Sequence, residues 1–140
     1  MPDEKRSQEH YVRHAGDASR FSLRQAFTCA QEGLNYAVRS QRNFKVHAFF
    51  MAAALILGAA LRISIPEWCA IVLCIICVLS FELINTAVES AIDLVSPEWN
   101  QLAKRAKDCA AASVYVAALG SVVVAAIIFV PRILGALGLA

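Results

Sequence analysis

Four polar residues, Glu82, Asn85, Glu89 and Asp93, close an apolar run that opens Trp68-Cys-Ala-Ile-Val-Leu-Cys-Ile-Ile-Cys-Val-Leu. Their spacing is i, i+3, i+7, i+11. At about 100° per residue these positions share one narrow stripe of a helix. An ionisable group at membrane depth costs about 2.5–3.5 kcal/mol on insertion scales, so a row of carboxylates there implies a use. Three uses are open: pairing with a structural cation, relaying protons or ions, or serving a substrate as base or metal ligand. By helix rise, Glu82 stands about 10 Å along the axis from Glu89. The deeper Glu82 suits a general base. Glu89, nearer the interface, suits a hard cation, since Mg²⁺ takes one or two protein carboxylates and completes its shell with phosphate and water. Lys107 and its basic neighbours can neutralise phosphate. Together these groups describe phosphoryl transfer at a membrane face. On the physics alone, the acids can equally face a bundle interior or pair with the basic segment at 104–107.

Several other chemistries find no support in the chain. Its six glycines, at 16, 33, 58, 120, 135 and 138, form no phosphate-cradling loop of the Gly-x-x-x-x-Gly-Lys-Ser/Thr kind, so no nucleotide fold is expected. His10, His14 and His47 are scattered and make no metal or catalytic pattern. Five cysteines, at 29, 69, 74, 77 and 109, are odd in number, and three lie in the apolar run, which is no disulfide framework. Cys74-x-x-Cys77 lacks two further ligands and is read as small apolar packing.

The elements that must position the stripe are legible in composition. The chain has 140 residues, 59% hydrophobic and 17% charged, with mean hydropathy +0.56. That is too apolar for an ordinary soluble domain. The opening Met1–His10 stretch lacks an apolar core and is not expected to be a signal peptide, and residues 1–19 are read as a disordered arm. Leu23, Phe27, Ala30, Leu34 and Ala37 recur at helical spacing, with Arg24, Gln31, Asn35, Arg39 and Arg42 on other faces. An amphipathic helix over 20–43, capped by Ser19, is expected in the headgroup plane. Spans are expected at about 44–62, 67–95 and 109–130, within a domain over 20–134. Pro66 suits the first turn of the second span and Trp68 an interfacial belt. Ser96-Pro97-Glu98 stops that span and can start another helix, with Ser96 as its cap; residues 97–108 are polar and basic, and Pro131-Arg132 marks the end of the third span. Three spans put the arm and the 96–108 segment on one side, with 11 of the 13 basic residues; only Arg62 and Arg132 fall on the other. The positive-inside rule makes the first side cytoplasmic. One copy cannot shield a row of carboxylates from lipid on all sides, so an oligomer is expected.

Phe81-Glu-Leu-Ile-Asn-Thr-Ala-Val-Glu-Ser-Ala-Ile-Asp93, then Leu102-Ala-Lys-Arg-Ala-Lys-Asp108 and Ala110-Ala-Ala-Ser-Val, resembles the prokaryotic diacylglycerol kinase and undecaprenol kinase family. Gln41-Arg-Asn-Phe-Lys-Val-His47 is similar to that family's segment at the start of the first span, and the likeness covers about residues 21–130. It implies an all-α membrane protein: a surface helix and three transmembrane helices in a homotrimeric bundle, with sites shared between subunits. It implies transfer of the γ-phosphate of ATP, with Mg²⁺, to a lipid alcohol at the inner face of the bacterial inner membrane. It implies no nucleic-acid partner. Carried over by position, Glu82 is the general base, and Asn85 helps hold the site. Glu89 binds the metal that bridges ATP phosphates. Lys107 and Asp108 contact ATP, and the Glu98-Trp99-Asn100 turn lies beside the nucleotide. Asp93 and Asn43 support the site. Many members carry Glu at the place of Gln41, where it is a second metal ligand. With glutamine the metal leans more on Glu89 and phosphate, or activity falls, or another acid such as Glu32 compensates; the first is preferred. Ser22 and Cys29 also depart from polar groups that some members have there. Asn43-Phe-Lys-Val-His47 and Leu102-Ala-Lys look more like the undecaprenol branch, so undecaprenol is the favoured lipid over diacylglycerol. The rival expectation is a non-enzymatic bundle, conducting cations or protons or serving assembly, that uses the same acidic stripe as a polar pore.

Overall fold

The computed structural model describes residues 22–139 and is all helical across them. Four helices succeed one another: α1 (Leu23–Ser40), α2 (Arg42–Ala60), α3 (Ile65–Val95) and α4 (Gln101–Ala136). The chain divides into two compact units, Met1–Tyr36 and Ala37–Ala140. The described part of the first unit is most of α1. Its start is capped by Ser22 and not by the expected Ser19, which lies outside the described residues, as does the arm over 1–19. The Ser22 hydroxyl accepts from the Gln25 backbone amide at 3.3 Å, while the Ser22 amide donates to the Gln25 side chain at 2.9 Å. This reciprocal box satisfies two amides that a helix start leaves without partners. The helix stops at Ser40, short of the expected end at 43, because Gln41 adopts an extended backbone (φ −97°, ψ 118°).

The second unit holds the three long helices. By length and composition Asn43–Ala60, Ile65–Val95 and Gln101–Ala136 can each cross a membrane. At about 1.5 Å per residue, the 31 residues of α3 span about 46 Å, beyond the roughly 30 Å of a hydrocarbon core, so its end reaches the interface. The outward side chains agree with a lipid solvent: Phe49, Ile56 and Ile127 are 69%, 70% and 69% exposed. So much contiguous apolar surface is unfavourable in water and neutral in hydrocarbon.

The three helices run antiparallel in sequence. Between α2 and α3, Arg62 takes a left-handed φ of 49° and Ile63 is buried. Ser64 then starts α3, its amide donating to Glu67 at 2.8 Å. Gly58 lets α2 approach α3 closely, since a Cβ there would stand 3.0 Å from Trp68 Cη2. At this end Ile63, Ile71, Ile128 and Phe129 form the buried apolar cluster, packed on by Leu57, Trp68 and Val124. Arg132 Nη2 donates to Glu67 at 2.7 Å and ties the end of α4 to the start of α3.

Two expected boundaries in α4 are corrected. The polar 97–108 segment joins the third span as one helix from Gln101, because its Gln, Leu, Ala, Lys and Arg residues are strong helix formers. Its cap is Asn100 and not Ser96: Asn100 Oδ1 accepts from the amides of Leu102 (2.8 Å) and Ala103 (3.2 Å). Ser96 instead ends α3, donating its amide to the Ile92 carbonyl at 2.8 Å. Pro131 does not end the helix, which continues to Ala136. Proline removes one backbone donor, a loss that membrane helices tolerate when other groups satisfy the freed carbonyls. The carbonyl that loses its amide to Pro131 is that of Ile127; in the same turn Arg132 Nη1 donates to the neighbouring Ile128 carbonyl at 2.9 Å.

Candidate functional site

The polar end of α3 holds the one buried ionisable side chain among the described residues, Glu82. Glu82 is 2% exposed and Asn85 7%, and with Thr86 they are the buried polar residues among those described. The hydroxyls of Thr86 and Ser90 donate to carbonyls of their own helix, those of Glu82 (2.9 Å) and Thr86 (2.8 Å), so neither reaches a carboxylate. The facing partners come from α2 and the junction before it. His47 Nε2 lies 3.1 Å from Glu82 Oε1, an ion-pair distance, yet no hydrogen bond is formed to that oxygen. Gln41 Nε2 donates to Glu89 Oε2 at 3.4 Å, and Asn85 Nδ2 donates to Glu89 Oε1 at 3.0 Å. Asn85 Oδ1, also buried, has no hydrogen-bond partner.

Gln41 occupies the cap position of α2 without making a side-chain cap bond. Its side chain turns to Glu89 instead. A residue that forgoes capping to reach a carboxylate is a local departure of the sort that functional sites carry. It also joins the two residues expected to share a metal.

Farther along, Lys107 donates to Asp93, and Lys104 pairs with Asp108 one helical turn away. Both residues expected to contact ATP from α4 are thus engaged within the chain, Lys107 with the acid expected to support the site. Asn43, Glu98, Trp99 and Asn100 are exposed, and among the described residues no hydrogen bond or ion pair joins them to the Glu82–Glu89 cluster. The side-chain oxygen of Asn100 is committed to capping α4. Glu32 is exposed on α1, in the first unit.

His47 is the residue that sequence reasoning missed. The usable signal was depth: a carboxylate buried in a span needs a counter-charge, and His47 is an ionisable residue near the start of the preceding span. His47 also borders an apolar groove of about 300 Å³ between α2, α3 and α4, whose wall includes Phe50, Ala54, Ile71, Val78 and Val122.

The donor set is compatible with Mg²⁺. Among the described residues no three His, Cys, Asp or Glu side chains converge as a metal cage. Glu89 offers one carboxylate, Asn85 an unpartnered buried amide oxygen and Gln41 a further amide oxygen. All are hard oxygen donors, and such a partial set suits a cation that keeps water and phosphate in its shell. A buried polar atom without a partner is otherwise unfavourable, so the orphaned Asn85 oxygen is itself consistent with an oxygen-seeking ligand.

The family model described as "Prokaryotic diacylglycerol kinase" matches residues 28–129. An undecaprenol kinase of Bacillus subtilis (strain 168) is 39% identical over 120 residues, covering 86% of this chain and 96% of that protein. A diacylglycerol kinase of Synechocystis sp. is 37% identical over 110 residues, 78% of this chain and 63% of that protein. A diacylglycerol kinase of Haemophilus influenzae is 34% identical over 87 residues, 61% and 73% of the two.

Proposed function

The chain belongs to the prokaryotic diacylglycerol kinase family and is a membrane lipid kinase with ATP as phosphate donor, and from that membership we propose that it phosphorylates undecaprenol at the cytoplasmic face of the inner membrane. The family assignment disfavours a non-enzymatic bundle. The single observation that carries the mechanism is a buried carboxylate, Glu82, with one oxygen free of hydrogen bonds.

In this mechanism Glu82 takes the proton of the lipid hydroxyl. The hydroxyl oxygen forms its bond to the γ-phosphorus, and the bond from that phosphorus to the bridging oxygen breaks, its electron pair leaving on ADP. Positioning and charge stabilisation carry most phosphoryl transfers, and the chain supplies both. Glu89, with Asn85 and Gln41 beside it, would hold magnesium, which would supply positive charge to neutralise phosphate. Lys107 leaves Asp93 for the phosphates, Asp108 contacts the nucleotide, and the Glu98-Trp99-Asn100 turn borders it. Asp93 and Asn43 support these residues. The apolar groove beside His47 provides a wall for hydrocarbon next to the base.

Undecaprenol is preferred to diacylglycerol because the Bacillus undecaprenol kinase aligns over nearly its whole length, whereas the Synechocystis diacylglycerol kinase aligns over 63% of its own. The lipid kinase domain is taken over 20–134, with α1 as its amphipathic helix; residues 1–21 lie outside those described. The charge asymmetry of the connecting segments supports a cytoplasmic amino terminus. A homotrimer with shared sites completes the cover over the acidic row. The test is side-by-side phosphorylation of undecaprenol and diacylglycerol by purified protein with ATP and Mg²⁺ in mixed micelles. Faster turnover of undecaprenol is expected; phosphorylation of diacylglycerol alone refutes the lipid assignment, and no lipid product at all refutes the mechanism.

A further inference from the structure

We propose that His47 is a positioning residue that keeps Glu82 ionised as its counter-charge; this rests on the assignment of Glu82 as base.

A carboxylate removed from water persists as an anion only against a positive charge or several hydrogen-bond donors. Glu82 is 2% exposed, and its Oε1 receives no hydrogen bond. Its neighbours on α3 offer no relief: the Asn85 amide group is given to Glu89, and Glu89 is itself an acid. Among the described residues α4 presents no cation at ion-pair distance from Glu82; Lys107 and Lys104 of its first turns are held by Asp93 and Asp108. The counter-charge therefore comes from α2, where the imidazole Nε2 stands 3.1 Å from Oε1.

A carboxylate carries about four lone-pair sites over its two oxygens, so a cation at this distance balances the charge and still leaves an acceptor for the hydroxyl proton. The His47 side chain is 23% exposed and lies in the wall of the apolar groove. The same ring thus borders the space beside the base and balances the base itself. Histidine suits this place because its planar ring can carry a positive charge and still pack against apolar side chains.

The test uses full-length protein in bilayers, with His47→Leu, His47→Lys, Glu82→Gln and the His47→Leu/Glu82→Gln pair. His47→Leu is expected to lower kcat about a hundredfold, the scale of a lost general base. The KM for ATP should stay within about twofold, because only the chemical step is affected. Infrared difference spectra of His47→Leu against the parent protein should show the carbonyl stretch of a protonated carboxyl, and that band should vanish in the double variant. His47→Lys restores a cation and should recover kcat and remove the band. The infrared readout is independent of turnover, so it separates failure of this inference from failure of the base assignment. Absence of the band in His47→Leu, or an unchanged kcat, overturns the role of His47. If Glu82→Gln retains full activity, the base assignment falls instead.

Discussion

Lys107 reaches back from the second turn of α4 to Asp93 near the end of α3, so the cation proposed to meet a phosphate is held by a carboxylate of the same chain. The pair sits at the polar end of the helices, with Asp93 largely exposed and Lys107 about one third exposed. A pair so open to solvent is worth about 0–1 kcal/mol. A charge-assisted bond from Lys107 to phosphate is worth about 1.5–3 kcal/mol, enough to draw the ammonium away. Lys107→Ala should therefore lower kcat/KM for ATP by roughly 10- to 150-fold while shifting thermal stability little. Steady-state kinetics and a melting curve on the same preparation check both halves.

Glu82→Gln keeps the shape of the side chain and removes its basicity. Loss of a general base lowers kcat by about 10²–10⁴-fold. Circular dichroism should be unchanged, and bound nucleotide measured by equilibrium dialysis should remain within about twofold, since the role proposed for Glu82 is on the lipid hydroxyl and not on ATP.

Gln41→Glu places a second carboxylate against Glu89. Without metal the two acids repel, and the variant should melt below the parent protein. With Mg²⁺ the order should reverse, and the Mg²⁺ concentration for half-maximal activity should fall. Melting curves with and without Mg²⁺ test the placement of the cation without reference to turnover.

Asn100→Ala removes the acceptor of two amides at the start of α4 and should cost about 1 kcal/mol. Asn100→Ser, which preserves capping, should recover that stability and the parent KM for ATP. Chemical denaturation in a fixed detergent measures the first and kinetics the second.

Gly58→Val introduces atoms where a Cβ alone stands 3.0 Å from the Trp68 ring. Overpacking of this sort costs about 1–3 kcal/mol. The expected result is a lower melting temperature with KM for ATP unchanged, because the contact lies at the end of α3 opposite the acidic row.

Much of the architecture is legible in the residues alone. The stripe Glu82–Asn85–Glu89–Asp93 comes from helix periodicity, which depends on residues within two or three turns of each other. The three spans come from apolar length, and the expected cytoplasmic side from the distribution of lysine and arginine. Element ends are less legible. Ser22 replaces Ser19, Asn100 replaces Ser96, and Pro131 lies inside a helix. At the two caps neighbouring Ser and Asn residues are both able to cap, and the choice rests on which one's side chain reaches the amides of the first turn.

Sequence by itself determined which residues share a helical face and which segments belong in lipid, because both are sums over neighbours along the chain. Only the tertiary structure decided which group answers each carboxylate. Gln41 meets Glu89 across 48 positions and Arg132 meets Glu67 across 65. His47, which forms no pattern along the chain, came to stand 3.1 Å from Glu82 when α3 turned back along α2. Such pairings are set by the register of antiparallel helices, fixed here by the close approach at Gly58 and by the apolar cluster around Ile71 and Phe129, far along the chain from the groups they align.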